Sequence, residues 1–177
     1  TLADGPWFTA SERRAEIDDF VAHDATTWRA LIHYLASRDI LHHVVFPTRP
    51  EDDPLPLLTD NPRALVISGR RDESWVRIID VGLVLSRLAL RDGSAIDLKV
   101  NDPILAENSR IWRIGTGYSG KVLRAEIETG DLASWVFGAA SAAELQAAGR
   151  LYASDDVVYE LDSRHPKGSK SHSGISF

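Results

Sequence analysis

The last residue of the chain, Phe177, combines two groups that could take part in chemistry. An α-carboxylate has a pKa of about 3.5, so it is ionised at neutral pH and can accept a proton from an ammonium group or orient it. The aromatic ring could enter a pocket and thereby place the carboxylate. Two observations argue against this role. Most chain termini are disordered. The segment from Asp162 onward also carries three basic residues, Arg164, Lys167 and Lys170, against one acid, which would repel a polycationic substrate.

A second candidate is the glycine-rich segment Arg113-Ile-Gly115-Thr-Gly117. Loops of the pattern Arg/Gln-x-x-Gly-x-Gly/Ala hold a coenzyme pyrophosphate on backbone N–H groups at the start of a helix. Here the arginine is one residue too close to the first glycine, Trp112 stands three residues before Gly115, and Tyr118-Ser-Gly120 is not a helix start. The segment therefore predicts a strand that ends in a glycine-rich turn, and the chain contains no predicted cofactor-binding residue.

The remaining reactive side chains form no recognisable catalytic or metal-binding set. His42 and His43 are adjacent in a predicted strand, so their side chains point to opposite faces and cannot bind one metal together. His165 and His172 lack carboxylates at a supporting spacing, and the acidic run 51–53 is more typical of a solvated linker than of a cation site. The sequence has no hydrolase nucleophile motif, phosphate loop or dinucleotide-binding fingerprint. We expect no metal site.

Composition is that of an ordinary globular protein. The chain has 177 residues, 44% of them hydrophobic, and 20 basic against 26 acidic residues leave a net charge of −6. The acidic balance argues against a nucleic-acid partner, and no apolar run reaches the roughly 20 residues that span a bilayer. The absence of cysteine fits a reducing compartment, so we expect a cytoplasmic protein. Because the chain opens at Thr1 and has no methionine, we expect a processed protein or a piece of a longer one.

The first part of the chain, residues 1–70, predicts a small mixed region. Apolar residues at i, i+3, i+4 and i+7 from Trp28 to Leu35 form one helical face, and Asp24 precedes it as a candidate N-cap. Prolines remove backbone donors, so a segment with five of them predicts an extended connection. The other predicted elements of this part are strands over Ala15–Ala22 and Leu41–Phe46 and the proline-rich connection over Pro47–Pro62.

The second part, residues 71–177, begins after a predicted boundary near Arg70 and is more regular. Period-two alternation predicts strands with one buried face, and a capping box from Ser141 to Glu144 begins a helix that stops at Gly149. The resulting fold class is α+β, with a mostly antiparallel sheet and helices on one side. Asp80 is the candidate N-cap of the first helix in this part. Predicted strands cover Trp75–Ile79, Ile96–Val100, Ile111–Ile114 and Val122–Glu128; predicted helices cover Val81–Leu88, Asp131–Phe137, Ser141–Ala148 and a turn at Asp156–Leu161.

Several patterns occur together in an unusual order. They are the block Trp75-Val-Arg-Ile-Ile-Asp80-Val81, the spacing Asp102…Asn108…Trp112, the alternating strand 122–128, and the paired helices 131–138 and 141–149. This succession resembles the C-terminal domain of the enhanced intracellular survival (Eis) acetyltransferases, a domain that is similar to sterol carrier proteins. Upstream, the segments 28–35, Glu51-Asp-Asp-Pro-Leu-Pro56 and Asp60-Asn-Pro62 resemble the end of that family's second acetyltransferase-like (GNAT) region.

The resemblance implies a non-catalytic GNAT-like part over 1–70 and a sterol-carrier-like domain over 71–177. Such proteins transfer an acetyl group from acetyl-CoA to small-molecule amines, including aminoglycosides, and form hexamers. The catalytic region would precede Thr1, so this chain alone is expected to be inactive and to bind no acetyl-CoA. The carboxylate of Phe177 would enter the active site as a base. The segment Ser171-His-Ser-Gly-Ile-Ser176 departs from the family's proline-and-aromatic approach to the terminus.

Two other hypotheses belong to different functional classes. In the first, a sterol-carrier-like domain binds a lipid or acyl group between its sheet and its helices, although a packed core explains the same residues. In the second, the chain is a structural oligomerisation module. The residues that would line the lipid cavity are Val81, Leu85, Leu88, Trp135 and Val136.

Overall fold

The computed structural model describes residues 13–72, 75–88, 94–115 and 122–165. The chain divides into two compact units, with the division between Arg71 and Asp72. This division lies one residue from the boundary predicted near Arg70. None of the helices in the described ranges is long and apolar enough to cross a membrane.

The first unit is built on a pair of short parallel strands. Its helix α1 begins after Asp24, whose side chain accepts a hydrogen bond from the backbone N–H of Thr27 at 2.7 Å, so the predicted N-cap is confirmed. The strands are shorter than predicted because the chain after β1 is held by ring packing of Phe20 rather than by a ladder. The elements are β1 (Arg14–Glu16), α1 (Ala25–Ala36), β2 (His43–Val45) and α2 (Leu55–Leu58), followed by a 3₁₀ turn over Pro62–Ala64.

Helix α2 corrects the prediction that Pro47–Pro62 is extended throughout. Pro54 precedes the helix and Pro56 stands in its first turn, where the missing N–H group would have no intrahelical partner in any case. The carboxylate of Asp53 accepts from the backbone N–H of Leu55 at 2.7 Å. Prolines therefore begin this helix instead of preventing it.

The second unit contains a four-stranded sheet with helices on one face, so the α+β fold class is confirmed. The strand order is β4-β3-β5-β6; the outer pairs are antiparallel and the central pair, β3 with β5, is parallel. Its elements are α3 (Val81–Arg87), β3 (Ile96–Asn101), β4 (Ile111–Ile114), β5 (Leu123–Glu128), α4 (Thr129–Val136), α5 (Ala142–Ala147), β6 (Leu151–Ala153) and α6 (Asp155–Arg164).

Alternating residues of the central strands form the core of this unit. Ile96, Leu98 and Val100 of β3 are buried, as are the alternate residues of β5, and helices α4, α5 and α6 cover this face. The opposite face carries cross-strand ion pairs, such as Lys99 Nζ to Glu126 Oε1 at 2.9 Å. A sheet with one packed and one solvated face accounts for the period-two sequence pattern.

Two predictions about the second unit are wrong. The segment Trp75–Ile79 forms no strand; Trp75 is 88% exposed, and side-chain hydrogen bonds rather than a ladder hold the backbone. The short strand β6 was not predicted, and α6 is ten residues long instead of a single turn. The capping box of Ser141 and Glu144 is confirmed, and Gly149 has φ 70° after α5.

Candidate functional site

Phe177, the predicted catalytic residue, lies outside the described residues. Arg164, by contrast, does not belong to a free basic tail as the sequence suggested. It is the last residue of α6, its side chain is 3% exposed, and its Nε donates to Glu160 Oε2 at 2.8 Å. The positive charge assigned to the tail is therefore reduced, because Arg164 is buried and neutralised within the helix.

The glycine-rich candidate begins inside strand β4. Arg113 donates to both carboxylate oxygens of Asp97 on the neighbouring strand, at 2.8 and 3.1 Å. This pairing raises the pKa of Arg113 and lowers the pKa of Asp97. The strand ends at Ile114 and Gly115 follows with φ 81°, while residues 116–121 lie outside the described part. Arg113 thus stabilises the sheet surface.

The histidine and acidic candidates are engaged in local contacts. His42 Nδ1 accepts from the backbone N–H of Arg13 at 3.2 Å, and Asp53 forms an ion pair with Arg49. Glu51 lies 3.4 Å from Arg70. Within the described ranges, no three His, Asp or Glu side chains come together as metal ligands.

Arg49 is the centre of an aromatic cluster in the first unit. Its guanidinium carbon lies 5.4, 5.0 and 5.9 Å from the ring centroids of Phe20, Trp28 and Phe46. Its Nη1 donates to the carbonyl of Phe20 at 3.0 Å. Because a planar guanidinium can stack on rings while its edge pairs with the carboxylate of Asp53, one residue joins the proline-rich segment to α1 and the strands.

A buried polar site of the second unit is centred on the carboxylate of Asp102, just after β3. Its side chain is fully buried, and it accepts from Arg77 Nη2 at 2.5 Å, the backbone N–H groups of Ile104 and Leu105 at 2.9 and 3.0 Å, and Asn108 Nδ2 at 2.9 Å. Burial alone would raise the pKa of Asp102, but these donors outweigh burial and hold the pKa far below its ordinary value. The carboxylate therefore stays ionised at neutral pH.

Asn108 connects this carboxylate to the segment that precedes α3. Its Nδ2 also donates to the carbonyl of Ile79 at 3.0 Å, its Oδ1 accepts from the N–H of Val81 at 3.2 Å, and its own carbonyl accepts from Trp112 Nε1 at 3.1 Å. These contacts explain the spacing of Asp102, Asn108 and Trp112 in the sequence. We call Arg77, Asp102 and Asn108 the Asp102 cluster.

The Asp102 cluster has the geometry of a structural site. Both carboxylate oxygens already accept hydrogen bonds from protein donors, and solvent does not reach them. A catalytic base needs a lone pair that faces its substrate. The cluster instead closes the loop after β3 and fixes the start of α3. The sequence indicated this site by the spacing of Asp102, Asn108 and Trp112, without showing which groups they contact.

Helix α3 packs closely on the loop after β3 at Gly82. A Cβ atom at Gly82 would lie 2.6 and 2.9 Å from Cζ3 and Cη2 of Trp112, whose ring is held by Asn108 and by Arg110 stacked at 3.8 Å. We expect Gly82→Ala to lower the free energy of unfolding by roughly 1–3 kcal/mol, as overpacking does. Gly130→Ala, where a Cβ meets nothing within 4 Å in α4, is the matched control and is expected to be neutral or stabilising. Urea denaturation measures the free energy of unfolding of both variants. Equal effects of the two substitutions would contradict the close contact between Gly82 and Trp112.

A second polar site lies where α6 ends against α4. His165 Nε2 lies 3.1 Å from the carbonyl of Val136, and its ring is 5.0 Å from that of Trp135. Arg164 pairs with Glu160, whose Oε1 accepts from Ser94 Oγ at 3.3 Å. Trp135 Nε1 and Arg164 Nη1 are buried without an acceptor among the described residues. The sequence analysis missed this site, which the i,i+4 spacing of Glu160 and Arg164 could have indicated.

The residues named for a lipid cavity belong to the core or its margin. Val81 and Trp135 are buried members of the core, and Leu85, Leu88 and Val136 are partly buried and pack against it. Such packing is what a solid core requires. Lipid binding stays a hypothesis.

Family models match both parts of the chain. The model of the acetyltransferase (GNAT) domain matches residues 5–78, and the model of the sterol carrier protein domain matches residues 81–172. An uncharacterized N-acetyltransferase of Streptomyces avermitilis is 31% identical over 157 residues, which cover 84% of this chain and 37% of the relative. One from Streptomyces griseus is 33% identical over 101 residues, 56% of this chain and 24% of the relative.

Two solved structures resemble the chain over nearly its whole length. The crystal structure of Eis1 from Mycobacterium abscessus matches 97% of this chain and 45% of the Eis1 chain, with a TM-score of 0.82 and 30% identity. A GCN5-related N-acetyltransferase from Kribbella flavida, at 20% identity and a TM-score of 0.57, shares the fold. The chain spans less than half the length of each of these proteins. It belongs to the sterol carrier protein domain family, and it carries that domain after an acetyltransferase (GNAT) domain region.

Proposed function

We propose that this chain is the C-terminal part of an acetyl-CoA-dependent N-acetyltransferase of the Eis type. The observation that carries the proposal is the likeness to Eis1 over 97% of the chain at 30% identity. The order of the two matched domains and the naming of the Streptomyces relatives as N-acetyltransferases support it. In this proposal the chain contributes part of the cleft for a small-molecule amine, such as an aminoglycoside, and contacts within a hexamer.

In the proposed reaction, Phe177 supplies the base. An amine must be unprotonated to attack the acetyl thioester, and a terminal carboxylate at the cleft can accept or orient its proton. Acetyl-CoA would be held by residues that precede Thr1, since the glycine-rich segment at Arg113 has the wrong spacing for a pyrophosphate loop. Residues 1–177 would then be inactive by themselves.

The proposal is tested by comparing the complete protein that contains this chain with residues 1–177 alone. Both are incubated with acetyl-CoA and a panel of amines that includes an aminoglycoside, and release of free CoA is followed. We expect the complete protein to acetylate at least one amine, and residues 1–177 to give no CoA release and no heat of acetyl-CoA binding by calorimetry. Binding of acetyl-CoA by residues 1–177, or a complete protein inert toward every amine, would contradict it.

The sterol carrier match favours a second candidate function, binding of a lipid or acyl group by the second unit. Packing weighs against it, because Val81 is fully buried and Trp135 is 4% exposed within a continuous core. The acidic net charge also provides no attraction to anionic membranes. We therefore rank this candidate below the acetyltransferase.

A further inference from the structure

An apolar patch lies on the second unit beside the Asp102 cluster. It contains five large side chains that are each between 52% and 88% exposed, which is half of the exposed large apolar side chains in the described part of this unit. Single apolar residues on a surface need no explanation, whereas a contiguous group of them marks a contact site. We call the following residues the junction patch: Trp75, Val76, Ile79, Leu83 and Ile104.

Hydrogen bonds to this cluster hold the patch residues near one another. The N–H of Ile104 donates at 2.9 Å to the carboxylate of the cluster, which also pairs with Arg77, the neighbour of Val76. The carbonyl of Ile79 accepts from the cluster at 3.0 Å, and Leu83 follows in the first turn of α3. Because buried partners fix this backbone, the patch is already in place before any partner binds, which lowers the entropic cost of association.

The exposed area of the patch matches one side of a contact between domains. Taking about 200 Å² for a tryptophan and about 110 Å² for an aliphatic side chain, the exposed parts amount to roughly 450 Å². Two such sides give roughly 900 Å², which lies within the range of interfaces between domains of one chain. A specific complex of two separate chains uses about 800 Å² on each partner, so the area favours a partner domain over a second copy.

The patch also lies where the two domain matches meet. The acetyltransferase match ends at Ile78 and the sterol carrier match begins at Val81, so patch residues come from both sides of this junction. The chain covers 45% of Eis1, and more than half of that protein therefore has no counterpart in these 177 residues. Under the proposed function, the corresponding part belongs to the same polypeptide and is available to cover the patch.

We propose that the junction patch is the surface on which the second unit binds the acetyltransferase part of the complete protein that lies outside residues 1–177. This inference rests on the proposed function, which supplies that part. The occupant is expected to present apolar side chains, because Arg77 is already paired with Asp102 and offers no free charge to a partner. Covalent linkage gives the occupant a high effective concentration, so a contact of this size suffices.

Cysteine labelling tests the proposal without relying on activity. The chain has no cysteine, so Trp75→Cys, Ile79→Cys and Ile104→Cys each place a single thiol in the patch. Ile111→Cys and Tyr152→Cys, at positions 63% and 70% exposed on the open face of the sheet, are the matched controls. Each variant of the complete protein is reacted with iodoacetamide under native conditions and in urea. Mass spectrometry of the peptide around the substituted position gives the labelling rate, and thermal unfolding and CoA release are recorded beside it.

We expect the three patch positions to react at least about tenfold more slowly than the two controls in the native protein, because a covered thiol reacts only when the contact opens. All five positions should react alike in urea. Where a patch substitution itself loosens the contact, labelling is fast, but the unfolding temperature falls several degrees below that of the controls.

Equal native rates at patch and control positions, together with equal unfolding temperatures, overturn the inference even if the complete protein acetylates amines. Protection that disappears on dilution assigns the patch to a second copy, and protection in residues 1–177 alone assigns it to another part of this chain; either result overturns the inference. Protection in a complete protein that is inert toward every amine overturns the proposed function and leaves the contact surface standing.

Discussion

If the proposed function is correct, deletion of Phe177 from the complete protein that contains this chain is expected to lower kcat by about 10²- to 10⁴-fold, the usual contribution of a positioned general base. The deletion leaves a terminal carboxylate on Ser176, but it shortens the tail by about 3.5 Å and removes the ring. The KM for acetyl-CoA should change little, because the coenzyme is held elsewhere in the proposed enzyme. Steady-state kinetics with saturating acetyl-CoA measure the effect.

Two matched variants separate the carboxylate from the ring. Phe177→Leu keeps the carboxylate at its position and is expected to raise the KM for the amine more than it lowers kcat. One glycine added after Phe177 keeps the ring and moves the carboxylate by one residue, so it should lower kcat nearly as much as the deletion. Unchanged turnover in the deletion variant, with an unchanged oligomeric state, would exclude a catalytic role of Phe177.

The largest effect on stability is expected from Asn108→Ala in the Asp102 cluster. Asn108 is 3% exposed, and its loss leaves the carbonyl of Ile79, the N–H of Val81 and one oxygen of Asp102 without their side-chain partner. The hydrogen bonds of Asn108 to Val81 and to Asp102 are buried, and each buried polar group without a partner costs about 1–3 kcal/mol. We therefore expect a loss of roughly 2–5 kcal/mol in the free energy of unfolding. This is a large fraction of the stability of an ordinary domain.

Urea denaturation gives this loss as a lower midpoint at an unchanged slope. Asn101→Ala is the matched control, because Asn101 is only partly buried and its Nδ2 donates to a single partner, Glu126 Oε1, at 2.8 Å. The control should cost about 1 kcal/mol or less. If the two variants lose similar amounts, the Asp102 cluster does not hold the start of α3.

Local signals in the sequence predicted several elements correctly. The N-caps Asp24 and Asp80 and the capping box at Ser141 act within three or four residues, so their partners are present in any window of the sequence. Alternation in β3 and β5 also follows from one local condition, a sheet with one buried face. The strand prediction for Trp75–Ile79 was wrong. This segment is held by side chains that are distant in the sequence, and an extended segment of that kind has the same composition as a strand.

The sequence by itself determined the α+β class, most of the helices and the alternating central strands, because caps and periodicity depend on neighbouring residues. It also indicated the resemblance to acetyltransferases. Only the tertiary structure decided that β3 and β5 are parallel neighbours, that Asp102 and Asn108 hold α3, and that Arg164 is buried against Glu160. The strand pairing and the hydrogen bonds between loops join residues that are far apart in the chain. The burial of an ion pair depends on which other segments cover it. A local sequence pattern contains information about neither.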